Sequence, residues 1–158
     1  MMYRTHLAFG LFAGLMFLPS FDIVDRLLFL GFVLVGALMP DVDTPESTLG
    51  RKTGILSRLL RFLAGHRGIF HSVFAAILFS GLVWMFNQTY GLALFIGYAS
   101  HLLIDGLTKS GINFLHPVAN FRISGFIATG SIYENLLLIG IIAADVLKVM
   151  DVLGGEEE

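Results

Sequence analysis

The stretch YGLALFIGYASHLLID, residues 90–105, decides how this chain is read. It is an apolar run that ends at His101, with Asp105 one helical turn further on. In a helix, positions i and i+4 lie on one face, so this imidazole and this carboxylate can hold one ion together. The stretch is therefore read as an apolar helix that carries chemistry at its C-terminal end.

Working outward, four more apolar stretches appear, at residues 5–18, 24–39, 69–86 and 132–149. Hydrophobic residues make up 56% of the chain and charged residues only 14%, against about 25% charged in ordinary soluble domains. Mean hydropathy is +0.81. The charges fall mostly between the apolar runs, as expected of a chain whose solvent is lipid. The expected fold is all-α: an integral membrane bundle of about five transmembrane helices with a metal site at one end. Residues 1–150 form the single membrane-embedded domain, and 151–158 an acidic, disordered tail. Several runs are shorter than the ~20 residues of a full span, which we read as polar helix ends sunk in a shared cavity. Arg4 followed by the apolar run 7–18 imitates a signal peptide, but no A-x-A-like site follows, and the segment reads as a retained helix.

The connections alternate between short (19–25, 87–89) and long (40–68, 106–130). If every run crosses, Arg4, Arg51, Lys52, Arg58, Arg61, Arg67, Lys109 and Arg122 share one side, and only Arg26 and Lys148 the other. The excess of positive charge then places the N-terminus and the long loops in the cytoplasm. Asp145 interrupts the fifth run; without that crossing only the C-terminus changes side. Residues 54–64 have helical periodicity and read as a basic amphipathic helix lying on the interface.

The same alternation organises the scarce polar residues. His6 opens the first run, Asp41 and Asp43 close the second, His66 and His71 open the third, and His101 and Asp105 close the fourth. In an up-and-down bundle all seven meet at one end. The chain has no cysteine, so thiolate sites, disulfides and cysteine nucleophiles are excluded. Imidazole and carboxylate suit zinc, or else manganese or iron. Seven donors exceed one tetrahedral site, leaving two alternatives: several ions (one to three in all), or fewer ligands with the rest supporting them. His66, His71, His101 and Asp105 are the first-choice ligands. Asp41, Asp43 or Asp105 could act as base where it is not itself a ligand, Arg67 could hold a phosphate oxygen, and Glu134 is a weaker candidate ligand. His116, on an aromatic-rich loop, reads as structural. A net charge of −2 gives no reason to expect nucleic acid as a partner. Neither G-x-S-x-G nor H-E-x-x-H occurs, which disfavours serine-lipase and zincin chemistry.

The segments THLAFG (5–10), MPDVDTPESTLGRK (39–52), GHRGIFHS (65–72) and SHLLIDGLTKSGINFLHP (100–117) resemble the inner-membrane-associated metal-dependent hydrolases, a YdjM-like family with LexA-regulated relatives. The resemblance implies a multi-helix membrane fold, hydrolase activity dependent on a divalent metal, and a site made of His6, Asp41, Asp43, His66, His71, His101 and Asp105. Two departures stand out: Thr44 replaces a histidine common after the second aspartate, and Phe70 a threonine common before His71. The expected function is hydrolysis of a phosphoester or other ester of a lipid-like, membrane-associated substrate. The alternative is a non-enzymatic metal-binding membrane protein: an assembly factor, sensor or transporter. A third possibility is a scaffold whose polar cluster holds no metal.

Overall fold

A computed structural model describes residues 1–18, 22–43 and 69–154. Five helices dominate: α1 (Tyr3–Met16), α2 (Ile23–Leu38), α3 (Val73–Trp84), α4 (Gln88–Gly106) and α5 (Ile132–Gly154). The starts of α2, α3 and α4 are set by side chains that satisfy otherwise orphaned backbone N–H groups. Asp22 accepts from the amides of Val24 and Asp25, Ser72 from Ala75, and Asn87 from Tyr90. Short 3-10 turns follow α2 (Met39–Asp43) and precede α3 (Ile69–His71). Pro40 has no N–H with which to continue the α-helix, and the P-D-V-D segment, residues 40–43, coils tightly as part of the 3-10 turn. The all-α expectation also omits a small antiparallel ribbon, β1 (Ile112–Asn113) with β2 (Arg122–Ile123), in the connection to α5.

Helix α4 is the hub, packed on by α1, α2 and α3, whereas α5 lies along α1. The α2–α4 crossing is close because of two glycines. A Cβ on Gly97 would stand 1.9 Å from the carbonyl oxygen of Val33, and one on Gly36 would stand 2.3 Å from that of Leu94. Phe29, Val33, Ala37, Ala93 and Tyr98 are fully buried around this contact.

The expectation of an integral membrane bundle is corrected here: among the described residues, no helix is long and apolar enough to cross a membrane. Helices α1, α2 and α3 have 14, 16 and 12 residues. At 1.5 Å per residue they reach only about 18–24 Å, less than a ~30 Å hydrocarbon core. Helix α4 is longer, but its apolar run is diluted by Gln88, Thr89, His101 and Asp105. Helix α5 has 23 residues but carries Glu134, Asp145, Lys148 and Asp151. It also continues to Gly154, into the segment expected to be a disordered tail. The basic amphipathic segment 54–64 lies outside the described residues. Outward-facing side chains of α2, α3 and α5 are nonetheless largely apolar, including Leu27, Leu28, Ile77, Leu78, Leu136 and Ile139.

Candidate metal centre

Four separate segments deliver ligating side chains to one place. His6 comes from the first turns of α1, Asp41 from the 3-10 turn after α2, His71 from the turn before α3, and His101 with Asp105 from the end of α4. His6, His71, His101 and Asp105 are at most 1% exposed. The Asp41 side chain is 14% exposed and forms the more open edge of the cluster. The side chain of Asp43, together with His66 and Arg67, lies outside the described residues.

Each position has a local cause. The close α2–α4 crossing at Gly36 and Gly97 brings the carbonyl of Ala37 to 2.7 Å from Nδ1 of His101. A carbonyl can only accept, so Nδ1 carries the proton. In the neutral ring the lone pair is then on Nε2, the form that binds metals, and a carbonyl orienting the far nitrogen is the usual support for a ligating histidine. His71 is held because the Tyr98 hydroxyl donates to the carbonyl of Phe70 at 2.6 Å. The Ser72 hydroxyl also donates to the carbonyl of Ile69 at 2.6 Å, closing the same turn. Asp105 is steadied by Thr108, whose hydroxyl donates to the Asp105 carbonyl at 2.7 Å and accepts from the Gly111 amide.

The donor atoms are spaced as ligands are. His6 Nε2 stands 3.4 Å from Asp105 Oδ1. His71 Nε2 is 3.8 Å from Asp41 Oδ1 and 3.8 Å from Asp105 Oδ2. His101 Nε2 is 4.0 Å from Asp41 Oδ1 and 3.8 Å from Asp105 Oδ2. Ligands 2.0–2.2 Å from a tetrahedral ion are themselves roughly 3.4 Å apart. Two overlapping triads, His6–Asp41–His101 and His71–His101–Asp105, each bring one ligand atom per residue within 4.8 Å of one another.

The electrostatics fit the same use. Burial is the main cause that pushes the His101 imidazolium pKa well below its ordinary value, and neighbouring His6 and His71 add to it. His101 is therefore neutral near pH 7. The rings of His6 and His101 stack at 3.8 Å between centroids and 9° between planes, an arrangement two imidazoliums would resist. Burial alone would raise the Asp105 carboxyl, but His6, His101 and the Met1 amino group, 2.5 Å from Oδ1, hold it far below the usual carboxylate range. The ring nitrogens of His6 and Nε2 of His101 are buried with no hydrogen-bond partner among the described residues. Such polar atoms destabilise a fold unless something binds them. The residues present therefore fit a divalent ion.

Glu134 sits beside this cluster but in neither triad. Its carboxylate is fully buried and accepts from the Met2 amide at 2.6 Å, the Thr5 hydroxyl at 2.9 Å and the Gly130 amide at 2.6 Å. It clasps α5 to the start of α1. The sequence reading missed Thr5 as its partner, and no periodic signal links residues 129 positions apart. The Ala37 carbonyl was also missed, because a backbone group leaves no mark in composition.

No solved structure matches the chain. A Bacillus subtilis protein, YvsG, is 38% identical over 117 residues, covering 70% of this chain and 71% of that protein. The inner membrane protein YdjM of Escherichia coli is 33% identical over 91 residues, covering 53% of this chain and 46% of YdjM. A Methanothermobacter thermautotrophicus protein, ORF4, is 34% identical over 92 residues, covering 54% of this chain and 38% of that protein. The family model described as YdjM inner membrane protein matches residues 1–155. A match over nearly the whole chain settles the family: the chain belongs to the YdjM inner membrane proteins.

Proposed function

We propose that the protein is a membrane-bound hydrolase that uses a divalent metal, zinc in the first instance, held by His6, Asp41, His71, His101 and Asp105. The observation that carries this reading is the convergence of three imidazoles and two carboxylates, from four segments, with donor atoms 3.4–4.0 Å apart. A bound ion would supply Lewis acidity toward water and toward an ester oxygen. The chain's own groups do the rest. Neutral His101 and ionised Asp105 present ligand lone pairs without having to lose a proton. Asp41, at the more open edge, is the carboxylate best placed to hold and move a proton of the attacking water. Arg4, Lys109 and Arg122 are exposed and would favour an anionic substrate, a phosphoester or other ester of a lipid, approaching from the cytoplasmic face. The apolar outer faces of the helices supply contact with lipid.

A second reading is a structural metal site, favoured by one observation: four of the five candidate ligands are at most 1% exposed, and closed sites are the structural kind. One experiment separates the two. Purified protein is analysed for bound metal by elemental mass spectrometry, then assayed on phospholipid and prenyl-phosphate esters. The hydrolase reading expects stoichiometric metal in the wild type, and turnover that stays lost in Asp41→Asn even when excess metal restores full occupancy of the weakened site. Metal without turnover across the panel leaves the structural site. Absence of metal after zinc, manganese and iron loading defeats both.

A further inference from the structure

A carboxyl group with no apparent structural use lies on the other side of α1. Asp145, in the middle of α5, is 7% exposed, and its Oδ1 is buried with no hydrogen-bond partner among the described residues. It sits in a groove of about 540 Å³ whose other walls are aliphatic: Leu7 and Leu11 of α1, Leu34 of α2, and Val146 and Met150 of α5 among them. Neither α1 nor α2 brings a charged or titratable side chain to this groove. On α5 itself the nearest cation, Lys148, is bonded at 2.6 Å to Asp151 on the exposed side. Helix α5 thus leaves Asp145 alone while pairing the carboxylate two turns on.

A leucine at this position would complete an all-aliphatic wall without burying a charge, and burying an unpaired carboxylate is unfavourable by several kcal/mol. The groove volume lies within the range of small-molecule sites, which combine apolar walls with few, placed polar groups. The wall chemistry selects the occupant. Aliphatic walls without an aromatic ring suit a flexible hydrocarbon chain and give no cage for a quaternary ammonium. A lone buried anion selects a cation that can donate a hydrogen bond to it. We propose that this groove binds an aliphatic amphiphile carrying a primary ammonium group, which donates to Oδ1 of Asp145. The site is separate from the metal centre: His6 turns toward the cluster, and its neighbours Leu7 and Ala8 line the groove.

The test uses the full chain in one non-ionic micelle and titrates it calorimetrically with dodecylamine, dodecanol and dodecanoate. Dodecylamine is expected to bind about tenfold or more tighter than the other two, the scale of one charge-assisted hydrogen bond. Asp145→Asn is expected to abolish that preference while dodecanol binding persists, and Asp145→Glu to retain part of it. Burial raises the Asp145 carboxyl pKa to about 6, so the preference should fade below that pH while the amine stays charged. Equal binding of amine and alcohol to the wild type overturns the proposal. So does an Asn variant that keeps the preference, or a stable dimer that buries α5 and admits none of the three ligands.

Discussion

Two buried carboxylates on opposite sides of α1 behave in opposite ways. Asp105 lies among imidazoles and beside an amino group, and its pKa is driven down despite burial. Asp145 lies among aliphatic side chains, and burial drives its pKa up to about 6. Burial penalises charge in both places; the difference is the company each keeps. Glu134 is a third case on the same helix as Asp145: equally buried, but satisfied by three donors. The comparison teaches that a buried acid here marks a ligand site, a clasp or an orphan according to its neighbours, and not according to its place in the sequence.

The largest break in this comparison should come from Gly97→Ala. The new methyl would collide with backbone, the Val33 carbonyl at 1.9 Å, and backbone cannot move aside as a flexible side chain can. The intrinsic helix gain of ~1 kcal/mol for alanine is outweighed by overlap costing about 3 kcal/mol or more. A thermal melt should show it, and Nε2 of His101 should lose its place along with metal binding. Gly140→Ala is the control, since nothing lies within 4 Å of its Cβ position; it should be neutral or slightly stabilising.

Next is the clasp. Glu134→Ala leaves the Thr5 hydroxyl and two backbone amides without their acceptor, a loss of about 2–3 kcal/mol. Hydrogen exchange should rise in α5 and the first turn of α1, with α2–α4 spared. If α5 stays protected, the clasp does not hold it.

His101→Ala should weaken zinc binding about 100-fold or more, measured by competition with a chelator, because both triads share this residue. Asp145→Asn should leave zinc affinity within about twofold. A matching loss in the two variants would erase the distinction between the two sides of α1.

The smallest effect is the stability change in Asp145→Asn, and its sign is diagnostic. Burial holds the folded carboxyl pKa at about 6, above its ordinary value of 3.8. The folded protein therefore holds the proton longer, and this residue lowers stability as pH rises from about 4 to about 6. Ligand-free Asp145→Asn should be more stable than wild type at pH 7 by about 1–2 kcal/mol and equal to it at pH 4. A destabilised variant at pH 7 would mean that Asp145 has a partner in the folded protein.

The five helices of the described residues and their approximate extents were legible in the sequence, because an apolar run followed by a polar break is a local signal. Spanning was not. Hydropathy averaged along the chain does not reveal that Met39–Asp43 and Ile69–His71 leave the helices as 3-10 turns, nor that α5 buries Glu134 and Asp145. The same shortening leaves α1, α2 and α3 below membrane thickness.

Residue identities by themselves determined the donor chemistry: five histidines, no cysteine, and aspartates at the ends of apolar runs, hence an imidazole–carboxylate centre if any metal binds. Only the tertiary structure decided which donors meet, which imidazole nitrogen keeps its lone pair, and which acid is left alone. Those outcomes depend on contacts between segments far apart in the chain: the α2–α4 backbone approach at two glycines, the Thr5–Glu134 clasp, and an aliphatic groove closed by three helices. Local patterning records what a residue can do, but proximity in space determines what surrounds it, and the surroundings set its charge.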